Sequence, residues 1–133
     1  MRRVVSTGAT GFIGRQLLQR LLRDGVDGAP VHIVAIARHP ETLSHVERDS
    51  VECHALDLAE APIEAIAAAC GQGALVFHLA ANASVASGEA GYRNNVRATG
   101  RLLEALRGCA PARVVYASSI GAVDRAPRDR CTL

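Results

Sequence analysis

The sequence predicts an α/β fold in which a doubly wound parallel sheet of about five strands carries helices on both faces. Three observations predict it. Short apolar runs alternate with helical patterns, each helical pattern is followed by a new strand-like run, and 133 residues are enough for one domain but too few for two. Strands that alternate with helices form parallel β-α-β units with right-handed crossovers, so we expect the strand order 3-2-1-4-5.

The first unit joins a β-branched strand to an amphipathic helix through a glycine turn. Val4 and Val5 begin the strand, three glycines follow at spacings of three, and the helical pattern covers residues 16–22. A loop containing glycine, aspartate and proline then leads into a second apolar strand at 31–37. After this strand, a short helix is predicted over 40–48.

The remaining units repeat this order. Alternation of polar and apolar residues predicts a half-exposed strand at 51–56, and an alanine-rich helix follows at 63–70. The nearly continuous apolar run at 74–79 is typical of a central parallel strand. A long helix at about 91–107 and a fifth strand at 113–117 complete the pattern.

The glycine turn has the form of a phosphate cradle. Gly8 permits a tight turn, Gly11 lets backbone N–H groups approach a pyrophosphate, and Gly14 lets the helix pack closely on the strand. The N-terminus of the helix adds partial positive charge. Because strand, turn and helix occur in the required order, we interpret the segment as a dinucleotide-binding site rather than a plain structural turn.

Composition excludes several classes of partner. Aromatic residues make up 3% of the chain, Trp is absent, and the net charge is +2 without a basic stripe, so we expect no nucleic-acid partner. No apolar run approaches the length of a membrane span, so we expect no membrane partner. The cysteines are widely spaced, at Cys53, Cys70, Cys109 and Cys131, so we expect no metal site, reduced thiols and a cytoplasmic location.

Five short motifs occur in an order that points to a known family. They are TGATGFIG at 7–14, DL at 57–58, HLAA at 78–81, NNVRAT at 94–99 and SS at 118–119. Together they resemble the extended short-chain dehydrogenase/reductases, the NAD(P)-dependent epimerase/dehydratase family, whose cofactor domain has a Rossmann-type fold. The resemblance covers residues 1–123 as an NAD(P)-binding Rossmann domain, truncated before the substrate domain, and we expect 124–133 to be an irregular tail.

The resemblance implies which residues hold the cofactor and which take part in the chemistry. Backbone N–H groups of Phe12 and Ile13 would bind the pyrophosphate, and Asp57 would accept a hydrogen bond from the adenine amino group. Asn95 would hold backbone and water near the catalytic group, and Ser119 would hydrogen-bond the reacting oxygen in a partial catalytic site. The implied cofactor-binding residues are Gly8, Thr10, Gly11, Phe12, Ile13, Gly14, Arg38, Asp57, Leu58, Leu79, Ala80, Ala81, Asn95 and Ser118.

Several of these residues also have structural interpretations. Asp57 could equally cap the next turn, whereas Asn95 lowers helix propensity in mid-helix, which favours a polar role. Ser118 and Ser119 could supply only loop polarity, but sites form at the carboxyl ends of parallel strands. His78 lies in an apolar strand, and we predict a core histidine there rather than an acid or base.

The catalytic pair of the family does not occur in this sequence. Family chemistry uses a tyrosine and, four residues later, a lysine that lowers the pKa of the tyrosine. Here Tyr92 and Tyr116 are followed at that spacing by Val96 and Ile120, and there is no lysine. We therefore predict the NAD(P)-binding portion of an oxidoreductase or epimerase/dehydratase, incomplete for catalysis, whose parent acts on a hydroxylated small molecule such as a sugar or sugar acid. The alternatives are a non-catalytic nucleotide-sensing module and a degenerate truncated reading frame.

The end of the second strand predicts which cofactor is preferred. NAD-preferring members place an acidic residue there, where it accepts hydrogen bonds from the ribose hydroxyls and repels a 2′-phosphate. Ala37 occupies this position here and Arg38 follows it. An arginine can bind a 2′-phosphate through charge-assisted hydrogen bonds, or it can stack on the adenine, which would serve either cofactor. Arg15 is a second cation within reach, although it could equally be a solvated helix arginine. The sequence therefore predicts that NADP is preferred over NAD.

The fifth strand predicts self-association. It would lie at the edge of the sheet, where the family places a further strand. Val114 and Val115 would then lie on unpaired backbone without a charge or proline to protect it. We therefore expect this exposed edge to pair with another copy of the chain.

Overall fold

The computed structural model describes residues 1–119 and shows one five-stranded sheet with all strands parallel. The strands are β1 (Arg2–Thr7), β2 (Val31–Ala37), β3 (Glu52–Ala55), β4 (Leu75–His78) and β5 (Arg113–Tyr116). The sheet order β3-β2-β1-β4-β5 confirms the predicted doubly wound topology. The predicted domain boundary at 123 and the tail at 124–133 lie outside the described residues.

Four α-helices connect the strands. They are α1 (Phe12–Asp24), α2 (His45–Asp49), α3 (Ile63–Cys70) and α4 (Gly88–Leu106), with 3₁₀ turns at Pro40–Thr42 and Val85–Ser87. Within residues 1–119, no helix is both long enough and apolar enough to cross a membrane.

The core has two parts, one on each face of the sheet. Val4 and Val5 are consecutive residues of β1 and are both fully buried, since successive side chains of a strand point to opposite faces. Val5 belongs to the cluster that includes Ile66 of α3 and Leu102 of α4, whereas Val4 belongs to the cluster that includes Leu18 of α1. Because β1 is buried on both faces of the sheet, its central residues Val4 and Val5 are both apolar in the sequence.

The single helix predicted over 40–48 is wrong. Leu43 and Ser44 are extended and separate the 3₁₀ turn from α2. Ser44 is the N-cap of α2: its hydroxyl accepts a hydrogen bond from the backbone N–H of Glu47, while the Glu47 carboxylate accepts one from the Ser44 N–H at 2.9 Å. This capping box requires a non-helical N-cap residue, so the helix begins at His45.

An arginine at the amino end of β1 connects three elements. The Arg3 guanidinium donates to both carboxylate oxygens of Glu52 in β3, at 3.1 and 3.2 Å. It also donates to the carbonyl oxygens of Ala69 and Cys70, at 2.8 and 3.0 Å. Because these carbonyls lie in the last turn of α3 and lack intrahelical partners, Arg3 caps that helix.

Two histidines also contact the carboxylate of Glu52. Nε2 of His54 lies 2.7 Å from Oε1, and Nε2 of His32 lies 2.8 Å from Oε2. The hydrogen bonds from His54 and Arg3 are the largest causes that lower the pKa of Glu52 to about 2. A carboxyl whose pKa is lowered by folding stabilises the fold above its unfolded pKa, and that contribution is lost as pH falls to the folded pKa.

We therefore expect Glu52→Gln to lower the free energy of unfolding near neutral pH and to have little effect near pH 2. The difference between wild type and variant should decline mainly between about pH 4.5 and about pH 2. Urea denaturation of both proteins across this range measures it. Glu104→Gln, which alters an exposed carboxylate of α4, is the matched control. A Glu52→Gln effect of the same size at both ends of the range would contradict the prediction.

Candidate functional site

The turn between β1 and α1 is tightly packed against neighbouring backbone. Gly8 has a φ of +70°, and a Cβ atom at this position would lie 2.7 Å from the backbone nitrogen of Ala80. A Cβ atom at Gly14 would lie only 2.1 Å from the carbonyl oxygen of Gly8. Both contacts are shorter than a Cβ atom can make, so the structure requires glycine at the two positions. At Gly11 the added Cβ would lie 3.3 Å from the Gly8 oxygen, which is a milder restriction.

The first turn of α1 presents free backbone donors to solvent. Gly11 is the N-cap residue, has extended backbone and provides no side-chain cap. Phe12 and Ile13 form the first turn with 88% and 62% of their surfaces exposed, although both are large and apolar. Because the first N–H groups of a helix have no intrahelical partner, this turn can bind an anion such as a pyrophosphate.

A crevice lies beside this turn, across the carboxyl ends of β1, β2, β3 and β4. Its lining residues are Gly8, Thr10, Gly11, Ile36, Ala37, Arg38, His39, Leu56, Asp57, Leu58, Leu79, Ala80, Ala81, Asn82, Asn94 and Ala98. The crevice is therefore centred where the winding of the sheet reverses between β1 and β4, which is where ligands bind in open α/β sheets.

Most of the predicted cofactor residues meet in this crevice. Nine of them line it: Gly8, Thr10, Gly11, Arg38, Asp57, Leu58, Leu79, Ala80 and Ala81. Phe12, Ile13 and Gly14 lie in the adjoining first turn of α1. Asn95 and Ser118 are not among the lining residues, and neither is Ser119.

Asp57 caps a turn and also lies in the wall of the crevice. Its side-chain Oδ1 accepts a hydrogen bond from the N–H of Ala59 at 2.9 Å, which caps the turn after β3. The residue also lines the crevice. One carboxylate oxygen therefore orders the loop, and the capped turn fixes Asp57 at the wall of the crevice.

Asn95 acts on the loop that follows β4. Its Oδ1 accepts a hydrogen bond from the N–H of Asn82 at 2.7 Å, and its Nδ2 donates to the carbonyl oxygen of Asn82 at 2.9 Å. The Asn82 side chain in turn donates to the Ser87 hydroxyl and accepts from the N–H of Ser84. These bonds give the mid-helix asparagine a polar role, and they hold Asn82 at the rim of the crevice.

The two arginines near the cradle have different surroundings. Arg38 follows β2, is exposed and lines the crevice. Arg15 instead donates to the backbone oxygens of Thr10 and Thr42, at 3.1 and 2.6 Å. It therefore connects the cradle to the loop after β2, and its guanidinium is engaged by backbone rather than directed at a ligand.

His78 is a buried core histidine, as the apolar strand predicts. It is 2% exposed and hydrogen-bonds the hydroxyls of Thr7 and Thr99. Burial lowers the pKa of its imidazole. The imidazole is therefore neutral in the folded protein near neutral pH.

The structure adds residues that the sequence analysis did not assign to the site. Asn94 and Ala98 line the crevice one helical turn apart on α4, and Asn94 directly precedes the asparagine that was singled out. Thr7 lies beneath the crevice and accepts hydrogen bonds from the N–H groups of Leu79 and Ala80, both at 3.2 Å. The sequence signal for this role of Thr7 is its position directly before Gly8, at the carboxyl end of β1.

The described residues contain no group of three or more His, Cys, Asp or Glu side chains arranged to hold a metal ion. The three cysteines in this part of the chain, Cys53, Cys70 and Cys109, are free thiols. The lining of the crevice combines one carboxylate and one arginine with a histidine, a threonine, two asparagines and apolar residues, beside the backbone donors of α1.

Comparison with known proteins gives a consistent result. The model of the NAD dependent epimerase/dehydratase family matches residues 4–132. UDP-glucose 4-epimerase of Mycolicibacterium smegmatis is 33% identical over 129 residues, which is 94% of this chain and 41% of that protein. The chain thus spans less than half the length of this relative.

Solved structures agree with the sequence match. A UDP-galactose 4-epimerase is 32% identical with a TM-score of 0.70, over 89% of this chain and 38% of its own. A variant of uronate dehydrogenase from Agrobacterium tumefaciens, complexed with NAD, is 27% identical with a TM-score of 0.68, over 90% of this chain and 41% of its own. Because the family match extends over nearly the whole sequence and the fold agrees, the chain belongs to the NAD-dependent epimerase/dehydratase family.

Proposed function

We propose that this chain binds a nicotinamide dinucleotide in the crevice at the carboxyl ends of β1 and β4. The observation that carries the proposal is the glycine geometry, since a Cβ atom at Gly14 would lie 2.1 Å from backbone and one at Gly8 2.7 Å from backbone. Such close packing leaves the N–H groups of the first turn of α1 open to a pyrophosphate. The NAD-bound structure of a relative with the same fold supports it.

The crevice residues divide among the parts of the cofactor. The first turn of α1 would hold the pyrophosphate, Asp57 and Leu58 the adenine, and the Leu79–Ala81 segment would form the floor beneath the adenine-side ribose. Small residues at Ala80 and Ala81 keep this floor low. When bound, the cofactor supplies a nicotinamide ring that accepts or returns a hydride.

The parent activity that we propose is oxidoreduction or epimerisation/dehydration of a hydroxylated small molecule, such as a sugar or sugar acid. The similar proteins, two of them sugar-nucleotide epimerases and one a uronate dehydrogenase, support this substrate class. A non-catalytic nucleotide-sensing module is the second candidate, because the glycine cradle and the crevice can bind a dinucleotide without a catalytic tyrosine–lysine pair. Turnover by a longer parent protein separates the two, because a sensor would bind the cofactor without reducing it, whereas the 133-residue chain alone should be inactive in either case.

We further propose that NADP is preferred over NAD. Ala37 ends β2 where an acidic side chain would repel a 2′-phosphate, and the exposed Arg38 lines the same wall of the crevice. Arg15 does not carry this preference, because its guanidinium is bonded to the backbone of Thr10 and Thr42. The preference therefore depends on Arg38.

We expect Arg38→Ala to weaken NADP⁺ binding about tenfold or more while NAD⁺ affinity changes little. A charge-assisted hydrogen bond contributes about 1.5–3 kcal/mol, and only the 2′-phosphate can use it. Calorimetric titration of both cofactors into wild type and variant measures the effect. Arg107→Ala, an exposed arginine at the end of α4, is the control. Tighter binding of NAD⁺ than NADP⁺ by the wild type would refute the preference.

The thiols support a reducing compartment, and we propose a cytoplasmic location. Cys70 and Cys109 are buried and free, and burial raises the pKa of the Cys70 thiol to about 11. A thiol with a raised pKa remains protonated and resists oxidation.

We propose that the chain self-associates through β5. Within residues 1–119 this strand pairs with β4 alone, and Val114 and Val115 are 38% and 39% exposed. An apolar edge strand is a template for pairing with another chain.

We expect size-exclusion chromatography at tens of micromolar to show species larger than a monomer. Val115→Lys should shift the chain towards the monomer, because a charge on an edge strand opposes pairing. Val46→Lys is the control, since Val46 is 75% exposed on α2, away from the edge. A wild type that elutes as a monomer would contradict the proposal.

A further inference from the structure

A buried hydrogen-bond network lies directly beneath the proposed cofactor floor. His78 is the last residue of β4 and pairs in register with Thr7 of β1. Its Nδ1 lies 2.7 Å from the Thr7 hydroxyl oxygen, and its Nε2 lies 2.8 Å from the hydroxyl oxygen of Thr99 on α4. The imidazole therefore bridges a central strand and the helix that lines the crevice.

Counting donors and acceptors fixes the tautomer of this imidazole. The Thr7 hydroxyl oxygen already accepts the N–H groups of Leu79 and Ala80, both at 3.2 Å, and the Leu79 N–H is shared with the Thr7 backbone oxygen at 3.2 Å. A hydroxyl has two lone pairs and one proton, so the proton of Thr7 is donated to Nδ1 of His78. Nε2 then carries the imidazole proton and donates it to Thr99. The neutral Nε2–H form gives both ring nitrogens of His78 and the proton of the Thr7 hydroxyl a hydrogen-bond partner.

The same network fixes the position of the Leu79–Ala80 backbone, which forms the floor of the crevice. Leu79 and Ala80 line the crevice, and their N–H groups are held by Thr7. The backbone of Ala80 is also the surface against which Gly8 packs, where an added Cβ would lie 2.7 Å from the Ala80 nitrogen. A displacement of Ala80 would therefore disturb both the floor and the phosphate cradle.

We propose that neutral His78 is a positioning residue of the cofactor site, and that its protonation in mild acid releases the Leu79–Ala80 floor and weakens cofactor binding. This inference rests on the proposed cofactor function. A proton added to Nδ1 would meet an oxygen whose lone pairs are both in use. Thr7 could accept it only by giving up its hydroxyl share of the Leu79 N–H, which the Thr7 backbone oxygen also accepts at 3.2 Å, or by releasing the N–H of Ala80. The lost hydrogen bond would weaken the floor of the crevice, because both N–H groups belong to the backbone of that floor.

The surroundings of His78 favour the neutral form. The titratable side chain that faces the ring is Tyr116 of β5, stacked at 5.4 Å between centroids with 19° between planes. β1 and α4 present only the hydroxyls of Thr7 and Thr99 to its nitrogens, and within residues 1–119 no ion pair involves His78. Burial accordingly lowers the pKa of the imidazole. The neutral form is favoured in the fold, so stability should fall as pH drops below about 6.5 towards the lowered value, and affinity should fall as pH reaches and passes that lowered value.

The test compares wild type with His78→Gln, whose side chain cannot titrate, by calorimetric titration of NADP⁺ and NAD⁺ between neutral pH and about pH 5. Because the 2′-phosphate itself titrates in this range, the informative quantity is the ratio of the two proteins' affinities for the same cofactor. We expect wild-type affinity to fall relative to that of His78→Gln as pH drops, by up to about tenfold for each pH unit below the pKa of His78 in the free protein. His45→Gln, an exposed histidine on α2, should follow wild type. A ratio that does not change with pH would overturn the proposal.

A second measurement needs neither a variant nor bound cofactor. Nitrogen-detected NMR of the wild-type imidazole should show the Nε2–H tautomer at neutral pH, and the amide signals of Leu79 and Ala80 should shift together with the His78 titration. An Nδ1–H tautomer would overturn the positioning role of His78. Amide signals of Leu79 and Ala80 that do not shift with the His78 titration would overturn it as well. Failure of the wild type to bind either cofactor would refute the proposed function alone, since this titration still decides the role of His78.

Discussion

Gly14→Ala should destabilise the fold severely and abolish cofactor binding. The added Cβ would lie 2.1 Å from the carbonyl oxygen of Gly8 and 2.9 Å from the Cα of Ala9, and both are backbone atoms that cannot rotate away. Alanine normally favours a helix by about 1 kcal/mol over glycine, but overpacking costs about 1–3 kcal/mol and occasionally more. A 2.1 Å contact with backbone places this substitution at the upper end of that range. Either α1 moves off β1 or the turn opens, and both outcomes remove the anion site at the start of the helix.

Urea denaturation and calorimetric titration with NADP⁺ measure the two effects separately. Gly100→Ala is the matched control, because Gly100 also lies within a helix, α4, and an added Cβ would meet no atom within 4 Å. We expect this control to leave the free energy of unfolding unchanged or raise it by up to about 1 kcal/mol, and to bind cofactor normally. Equal unfolding midpoints for the two variants would show that the cradle tolerates a Cβ atom, and would refute the packing argument.

The topology could be predicted because its determinants are local. Alternating strands and helices restrict the chain to parallel units of one hand, and these rules led to the observed order of five strands. The crevice followed from the same topology, since the ends of β1 and β4 diverge where the winding reverses. The prediction of one helix after β2 is wrong because the capping box between Ser44 and Glu47 starts a separate helix, α2. Its sequence signature, a serine followed three residues later by glutamate, was present.

The roles of individual side chains are harder to predict than the topology when their hydrogen-bond partners are distant in sequence. Arg15 is next to the cradle in sequence, which suggested a ligand contact, but it donates to the oxygen of Thr42, 27 residues away. Thr7 was seen only as part of the glycine motif, although its hydroxyl holds N–H groups 72 and 73 residues further along. Such contacts depend on strand register and helix placement, which a local pattern does not encode.

We expect the 133-residue chain to bind cofactor without detectable turnover. The family resemblance assigns proton transfer to a tyrosine whose pKa is lowered by a lysine four residues later, and neither Tyr92 nor Tyr116 has such a partner. Tyr116 is instead stacked on the buried imidazole of His78, and Tyr92 lies exposed on α4. Positioned acid–base groups contribute about a hundred- to ten-thousandfold to rate, so their absence alone should reduce any hydride transfer to near the detection limit.

The measurement is NADPH or NADH formation by the purified chain with a panel of sugars, sugar acids and hydroxy acids. A uronate dehydrogenase assayed in parallel with its own substrate shows that the panel and cofactors are competent. Tyr116→Phe is an internal control: it removes the hydroxyl of the tyrosine nearest the crevice floor while keeping the ring that stacks on His78. We expect wild type and Tyr116→Phe to be equally inactive and to bind NADP⁺ equally well. Steady NADPH production that Tyr116→Phe removes would mean that this chain carries a proton donor of its own and acts without the family's Tyr–Lys pair.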